Sequence, residues 1–252
     1  MQDQHVPAIG RYYWPAFAGA TLFASTASDL LFMELAGHGL GDLYLPLFAG
    51  AFVALIVAET RDPGESTRWY WAAVIAAIAT AAHLADVSYA RLGVRRIWVC
   101  AALLVLLFVA HFAVQSDTVR IIALRLQQRP RPTVPVTDST YWIALAMAAM
   151  AGKLASDFLT IGQGTSIAAT FLLLFAATAA TAGIRRWTPI NRIGTYWTIV
   201  FMFNALATAG GDLLVNDPTV GIGLLPTTLV SGVFLASLLY ISARHDRTRR
   251  AF

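Results

Sequence analysis

The sequence has one cysteine, one lysine and few charged residues of any kind. Cys100 is its only cysteine, so neither an internal disulfide nor a cysteine-based metal centre can form within the chain. Charged residues make up 13% of the 252 residues, whereas soluble domains usually carry about 25%. Lys153 is the only lysine, and arginine supplies the other positive side chains. These shortages indicate a chain that buries its apolar surface in lipid.

Recognisable catalytic motifs are also missing. The sequence contains no P-loop, no HExxH zinc motif and no serine nucleophile elbow. The string Gly39-Leu40-Gly41-Asp42 resembles the GxGD motif of intramembrane aspartyl proteases, which need a second aspartate facing the first inside the membrane. Asp42 is expected at the outer edge of a helix instead, so we predict that the protein is not an enzyme.

Long apolar stretches dominate what the sequence does contain. Hydrophobic residues make up 58% of the chain, and the mean hydropathy is +0.63. Eight stretches are long enough to cross a hydrocarbon core of about 30 Å: 12–33, 43–59, 69–90, 97–115, 140–160, 166–184, 195–215 and 222–242. The fold class predicted is therefore an all-α integral membrane protein with eight transmembrane helices.

One pattern occurs four times along the chain. A tyrosine and a tryptophan are followed, fifteen residues after the tryptophan, by a lone aspartate. The tryptophan–aspartate pairs are Trp14 and Asp29, Trp71 and Asp86, Trp142 and Asp157, and Trp197 and Asp212. Because the first stretch carries the same pattern as three later ones, we interpret it as a mature helix and not as a cleaved signal peptide.

The repeats predict the organisation of the chain. Short glycine-containing or polar turns follow the first, third, fifth and seventh stretches, which favours four tandem antiparallel helical hairpins. An arginine- and proline-rich linker, 117–138, separates two four-helix halves, 1–116 and 139–252. Each repeat holds two spans, so all four repeats should run in the same sense around an axis along the membrane normal.

Arginine positions predict the orientation. Only Arg91, Arg95 and Arg96 fall on one side of the predicted spans, and the other fourteen arginines fall on the opposite side. The positive-inside rule then places both termini in the cytoplasm of a bacterial cell, with the chain crossing the inner membrane several times. The tryptophans are expected at the cytoplasmic interface. Fifteen helical residues rise about 22 Å, so the four aspartates should share one level in the outer half of the membrane.

The four aspartates are the predicted functional centre. A charge at the centre of the bilayer costs roughly 2.5–3.5 kcal/mol or more, so four of them at one depth need a reason. One hypothesis is a ring of carboxylates that binds or conducts a cation or protons. The alternative is structural, with each aspartate hydrogen-bonding a neighbouring helix and holding the hairpins together.

Helical spacing predicts the neighbours of these carboxylates. Ser25 and Thr21 precede Asp29 by one and two turns, and Thr208 and Asn204 precede Asp212 in the same way. These residues should form polar columns that lead inward from the carboxylates. Lys153 lies one turn before Asp157, close enough for an ion pair.

Five further residues, in three parts of the chain, are candidates for a functional role. His83 shares a helix face with Asp86 and is either a proton carrier or a packed hydrogen-bonding residue, as is His111 in the fourth span. Glu34, His38 and Asp42 cluster in the first outer turn, where they form a candidate entrance for a cation. A bound cation is the only cofactor that these residues suggest, and its identity stays open.

The segment TYWTIVFMFNALATAGGDLLVNDPTVGIG (195–223) resembles a bacterial family of multi-spanning proteins built from tandem two-helix repeats, often labelled uncharacterised membrane-anchored proteins. The resemblance rests on the Tyr-Trp start, the small residues before the aspartate and the glycines after it. It covers most of the chain and implies the fold and the repeat number, but no chemistry. That family's repeats often carry a further polar or acidic residue before the aspartate, where this chain has mainly Ala, Ser, Thr or Gly.

The leading functional hypothesis is a small cation- or proton-linked membrane transporter or channel. The alternative is a non-transporting assembly or sensory partner in which the aspartates only join helices. The partners expected are the lipid bilayer and anionic lipids at the cytoplasmic arginines, with a homo-oligomer left open. Nucleic acid is not expected as a partner, because the arginines lie in loops and termini.

Overall fold

The structure, a computed structural model, describes residues 7, 9, 12–62, 67–92, 95, 97–107, 137–187 and 192–250. Within these residues the chain is helical and contains no strand. Its α-helices are α1 (Tyr13–Gly37), α2 (Tyr44–Arg61), α3 (Arg68–Leu92), α4 (described over Ile97–Leu107), α5 (Ser139–Asp157), α6 (Ile167–Trp187), α7 (Arg192–Asn216) and α8 (Leu224–Arg250). A 3₁₀ turn, Gly41–Leu43, precedes α2, and a π turn, Phe158–Gly162, follows α5.

Seven of these helices are long and apolar enough to cross a membrane. They are α1, α2, α3 and α5 to α8, so the predicted all-helical membrane type is confirmed to that extent. The fourth predicted span, 97–115, begins in α4, and its remainder lies outside the described residues, as do His111 and nearly all of the 117–138 linker. The span predicted over 97–115, which would bring the number of spans from seven to eight, therefore stays a prediction.

The odd-numbered helices form the inner part of the bundle. Helix α1 contacts α3, α3 contacts α5, α5 contacts α7, and α7 returns to α1, so the four close a ring. The contacts α3–α5 and α1–α7 run between the two halves predicted from the sequence.

The even-numbered helices lie outside this ring, each against the odd helix of the next repeat. Helix α2 packs mainly on α3, α6 on α7, and α8 on α1. Helix α4 follows the same pattern, since the thiol of Cys100 donates to the carbonyl of Ala151 in α5 at 3.4 Å. A short turn joins α1 to α2, but these two helices contact each other little. The packing therefore joins α2, α6 and α8 mainly to an inner helix other than the one that precedes them in the chain, and the hairpin repeats stay a prediction.

Three helices have a proline in their first turn, and a fourth begins with an aspartate cap. Pro15, Pro46 and Pro226 each occupy the third position of a helix. A missing N–H costs nothing there, because the first turn has no intrahelical acceptor for it. Helix α5 starts differently, with Asp138 accepting a hydrogen bond from the Tyr141 N–H at 2.8 Å. The last residue of the predicted linker is therefore the N-cap of α5.

The turn between α7 and α8 is built by Asp217. Its carboxylate accepts hydrogen bonds from the Thr219 hydroxyl and from the backbone N–H groups of Thr219 and Val220. The Thr219 hydroxyl, followed by its backbone N–H, holds the pKa of the exposed Asp217 carboxyl below its ordinary value. Gly223 then adopts φ of +89° before α8 begins, a conformation that favours glycine.

Candidate functional site

Four tyrosines close the N-terminal end of the inner helices. The hydroxyl of Tyr13 lies 2.7 Å from those of Tyr70 and Tyr196, and the Tyr141 hydroxyl lies 2.7 Å from Tyr70 and 2.8 Å from Tyr196. We call this closed cycle the tyrosine ring. All four side chains are buried, and each hydroxyl can donate once and accept once around the cycle.

The tryptophans pack inside the bundle behind the tyrosine ring. Each indole lies 5.4–5.8 Å from the ring of a tyrosine on the preceding inner helix, in the pairs Trp71–Tyr13, Trp142–Tyr70, Trp197–Tyr141 and Trp14–Tyr196. Three of the indoles are buried, and Trp14 is half-buried. The three buried indoles therefore pack between helices and do not face lipid, while their level at the membrane interface stays a prediction.

An apolar layer lies directly above the tyrosine ring. One helical turn after each tyrosine comes Phe17, Val74, Leu145 or Val200, on the same helix face. All four side chains are fully buried. The next turn holds Thr21, Ile78, Ala149 and Asn204, which are also buried. The middle of the bundle is therefore packed with side chains, most of them apolar.

The predicted polar columns do not form chains of side-chain hydrogen bonds. Thr21 donates to the carbonyl of Phe17 at 2.7 Å, Asn204 donates to Val200 at 2.8 Å, and Thr208 donates to Asn204 at 3.0 Å. Each of these side chains thus satisfies its donor on its own helix, one turn back. Ser25 is buried in the corresponding position of α1.

Lys153 lies between the carboxylates at the other end of the inner helices. Its Nζ is 3.2 Å from Oδ1 of Asp86 in α3 and 3.7 Å from Oδ2 of Asp157 in α5. It also interacts electrostatically with Asp29 and Asp212. We call these four aspartates the carboxylate ring. The predicted pairing with Asp157 is present, but Asp86 on the neighbouring helix is the closer partner.

The members of the carboxylate ring differ in exposure. The side chain of Asp86 is 49% exposed, whereas those of Asp157 and Lys153 are 11% and 13% exposed. Asp29 is exposed, and Asp212 is half-buried. The π turn that follows Asp157 is fixed by Thr160, which donates to the Ser156 carbonyl at 3.1 Å and to the Thr170 hydroxyl at 3.3 Å.

An open cavity of about 720 Å³ leads to the exposed side of the carboxylate ring. It lies among the ends of α1, α2 and α3 that carry the carboxylates, and its polar lining residues are Asp29, Asp42, His83 and Asp86. Phe32, Leu45 and Val87 contribute apolar walls. The predicted cation entrance is thus only partly assembled. Asp42 lines the cavity, while Glu34 and His38 are exposed residues outside its lining.

His83 packs among aromatic rings in the wall of this cavity. Its imidazole lies 4.8 Å from the Phe32 ring and 4.4 Å from the Tyr44 ring. The Tyr44 hydroxyl lies 2.6 Å from the hydroxyl of Ser28. The sequence placed His83 and Asp86 on one helix face, and both residues do line the cavity. Phe32 and Tyr44 were missed, since only the fold brings α1, α2 and α3 together at this point.

A metal centre is not assembled from the described residues. Within them, no group of three or more His, Cys, Asp or Glu side chains is placed to hold a metal ion. The hypothesis of a transition metal at Glu34, His38 and Asp42 therefore finds no support in the geometry. The positive charge that the carboxylate ring does hold is the ammonium group of Lys153.

The tyrosine ring is expected to contribute measurably to stability. Tyr70→Phe removes one hydroxyl and leaves Tyr13 and Tyr141 each short of one hydrogen bond in a buried site. We expect a loss of about 1–3 kcal/mol in the free energy of unfolding. Tyr240→Phe is the matched control, because Tyr240 is 69% exposed. Equal melting temperatures in detergent for the two variants would show that the cycle contributes nothing.

Comparison with known proteins adds no relative: no protein-family model matches the sequence, and no curated protein or solved structure matches the chain.

Proposed function

We propose that the protein is a proton- or small-cation-linked transporter of a bacterial inner membrane, with the carboxylate ring as its ion site. The observation that carries this proposal is the contrast between the two ends of the inner helices. One end holds the four aspartates of the carboxylate ring, and two of them, Asp29 and Asp86, line an open cavity. The other end is filled by the tyrosine ring and the apolar layer above it.

This contrast favours a transporter over an open channel. A channel needs a continuous polar path, whereas here about 24 Å of helix separates the carboxylates from the tyrosine ring. Phe17, Val74, Leu145 and Val200 interrupt any such path with a layer of fully buried apolar side chains one turn above the tyrosine ring. A site open to one side and closed to the other is what alternating access requires of one of its states.

The proposed orientation places the tyrosine ring in the cytoplasmic half of the membrane and the carboxylate ring in the outer half. Exposed Arg61 and Arg68 lie at the tyrosine end of α2 and α3, as the positive-inside rule requires. Both termini are then cytoplasmic. The resemblance to the family of tandem two-helix repeats is compatible with this arrangement and remains a proposal.

The proposal is tested by ion flux into proteoliposomes. Asp29→Asn and Asp212→Asn keep the size and much of the hydrogen bonding of the carboxylates but remove a charge. We expect each to abolish proton or cation uptake driven by a membrane potential, with the melting temperature nearly unchanged. Asp217→Asn, in the exposed outer turn, is the control and should transport normally. Undiminished flux in both ring variants would refute the ion site.

Topology is tested with single engineered cysteines. Gln163→Cys in the exposed turn before α6 should react with an impermeant maleimide added to intact cells. Thr133→Cys in the linker should react only after the cells are permeabilised. The native thiol does not interfere, because Cys100 is buried against Ala151. The reverse labelling pattern would contradict the proposed orientation.

A non-transporting assembly or sensory partner is the second candidate function. The observation that favours it is the ion contact by which Lys153 of α5 joins Asp86 of α3. If the carboxylates only hold helices together, Asp→Asn changes should lower stability at all four positions and change no flux. The proteoliposome and melting measurements described above separate the two candidates.

A further inference from the structure

Lys153 occupies a position that the other inner helices fill with small residues. The residues one turn before the four aspartates are Ser25, Ala82, Lys153 and Thr208. Lys153 is also the only lysine in the chain. Small neighbours on three helices leave room for one long side chain, and α5 supplies it.

The surroundings of Lys153 are those of a bound ammonium ion. Nζ has three hydrogens to donate, and carboxylate oxygens lie 3.2 Å and 3.7 Å from it on two different helices. The side chain is only 13% exposed. Both remaining members of the carboxylate ring add a favourable charge interaction. An ammonium group removed from water is stable only with such partners.

We propose that the carboxylate ring is a binding site for a primary ammonium group, and that Lys153 is a tethered occupant competing with free cations for it. This rests on the proposed function in that both need the ring to hold a cation. It goes further by naming the chemical class that fits the site. A transported cation would have to displace Lys153 from Asp86 and Asp157 before it could bind between them.

The first test uses the single lysine as a probe of the intact protein. Isotope-labelled lysine gives one side-chain signal in an NMR spectrum, because Lys153 has no counterpart elsewhere in the chain. We expect Asp86→Asn and Asp157→Asn each to shift that signal. Asp42→Asn, which alters the outer part of the same cavity, should leave it in place. A wild-type signal at the position of a free lysine side chain, unmoved by both ring variants, would overturn the proposal.

The second test shortens the Lys153 side chain and supplies the lost part as a free ion. Lys153→Ala lacks three methylenes and an ammonium group, which together correspond to n-propylammonium. We expect this ion to raise the melting temperature of the variant saturably, by about 5 °C at concentrations far above its Kd. Tetramethylammonium, which has no N–H donor, should not do so. Adding Asp86→Asn and Asp157→Asn to Lys153→Ala should abolish the rise.

Each outcome of the second test decides the matter. Equal stabilisation of wild type and variant by propylammonium, or equal stabilisation by tetramethylammonium, would refute a specific ammonium site. If Lys153→Ala cannot be purified in folded form, the lysine signal decides alone. Neither readout measures transport. Stabilisation by propylammonium without ion flux would refute the transporter and support the ammonium site. Ion flux without that stabilisation would refute the ammonium site and support the transporter.

Discussion

Replacing Gly152 by alanine is expected to cause a large loss of stability, because it would force two inner helices apart. A Cβ atom at Gly152 would lie 2.7 Å from the Asn204 Cβ, 2.7 Å from the Phe201 carbonyl oxygen and 2.8 Å from the Ala205 backbone nitrogen. Two of these atoms are backbone and cannot rotate away. Helices α5 and α7 would have to separate, at a cost of about 3 kcal/mol in the free energy of unfolding.

Gly183→Ala in α6 is the matched control. A Cβ atom there meets nothing within 4 Å, and alanine favours a helix over glycine by about 1 kcal/mol. We therefore expect the melting temperature in a fixed detergent to fall strongly for Gly152→Ala and to stay level or rise for Gly183→Ala. A Gly152→Ala protein that melts with the wild type would mean that α5 and α7 are not in this close contact.

Close contact at Gly152 could be expected only in general terms from the sequence. Small residues before each aspartate indicate that the inner helices approach closely. The conspicuous pair Gly210 and Gly211 would have been the natural choice for the tightest point. There an added Cβ would meet only side chains, at 3.4 Å and 3.5 Å. Which glycine lies at the crossing depends on the rotation of both helices, and composition does not contain that information.

The fourfold pattern predicted which residues would share a level but not how they would be used. Equal spacing from tyrosine to aspartate places the tyrosines at one end and the aspartates at the other. The sequence shows each tyrosine only as the neighbour of a tryptophan and predicts no role for its hydroxyl. The structure instead turns their hydroxyls into one buried cycle and packs the tryptophans behind it. A repeated spacing in the sequence shows which residues lie at the same height along their helices. Which residues face one another depends on how the neighbouring helices pack.

The same limit explains why the contact of Lys153 with Asp86 was not predicted beside the one with Asp157. Spacing of one helical turn predicts contact with Asp157, since both residues lie on α5. Asp86 is 67 positions away in sequence and comes closer, because α3 is the neighbour of α5 in the inner ring. Local patterns could not rank these two carboxylates, because helix order around the ring is a tertiary property.

Replacing Lys153 by methionine is expected to cost about 3–5 kcal/mol in the free energy of unfolding, because it removes one member of a poorly solvated ion-pair network. The two carboxylates it contacts should not contribute equally. Asp86 is nearer to Nζ, but its side chain is 49% exposed and can be hydrated. Asp157 is 11% exposed, so the loss of the ammonium charge costs more at that carboxylate.

This difference in solvation predicts an order among combined variants. Lys153→Met with Asp157→Asn should recover more stability than Lys153→Met with Asp86→Asn, although Asp86 is the closer partner. The variant that carries all three changes should recover most, because neither carboxylate that contacts Lys153 is then left charged without its partner. The measurement is the melting temperature of each variant in one detergent, without added alkylammonium ions. If the Asp86→Asn combination recovers more, distance to Nζ outweighs burial, and the carboxylate ring is better hydrated around Asp157 than its packing indicates.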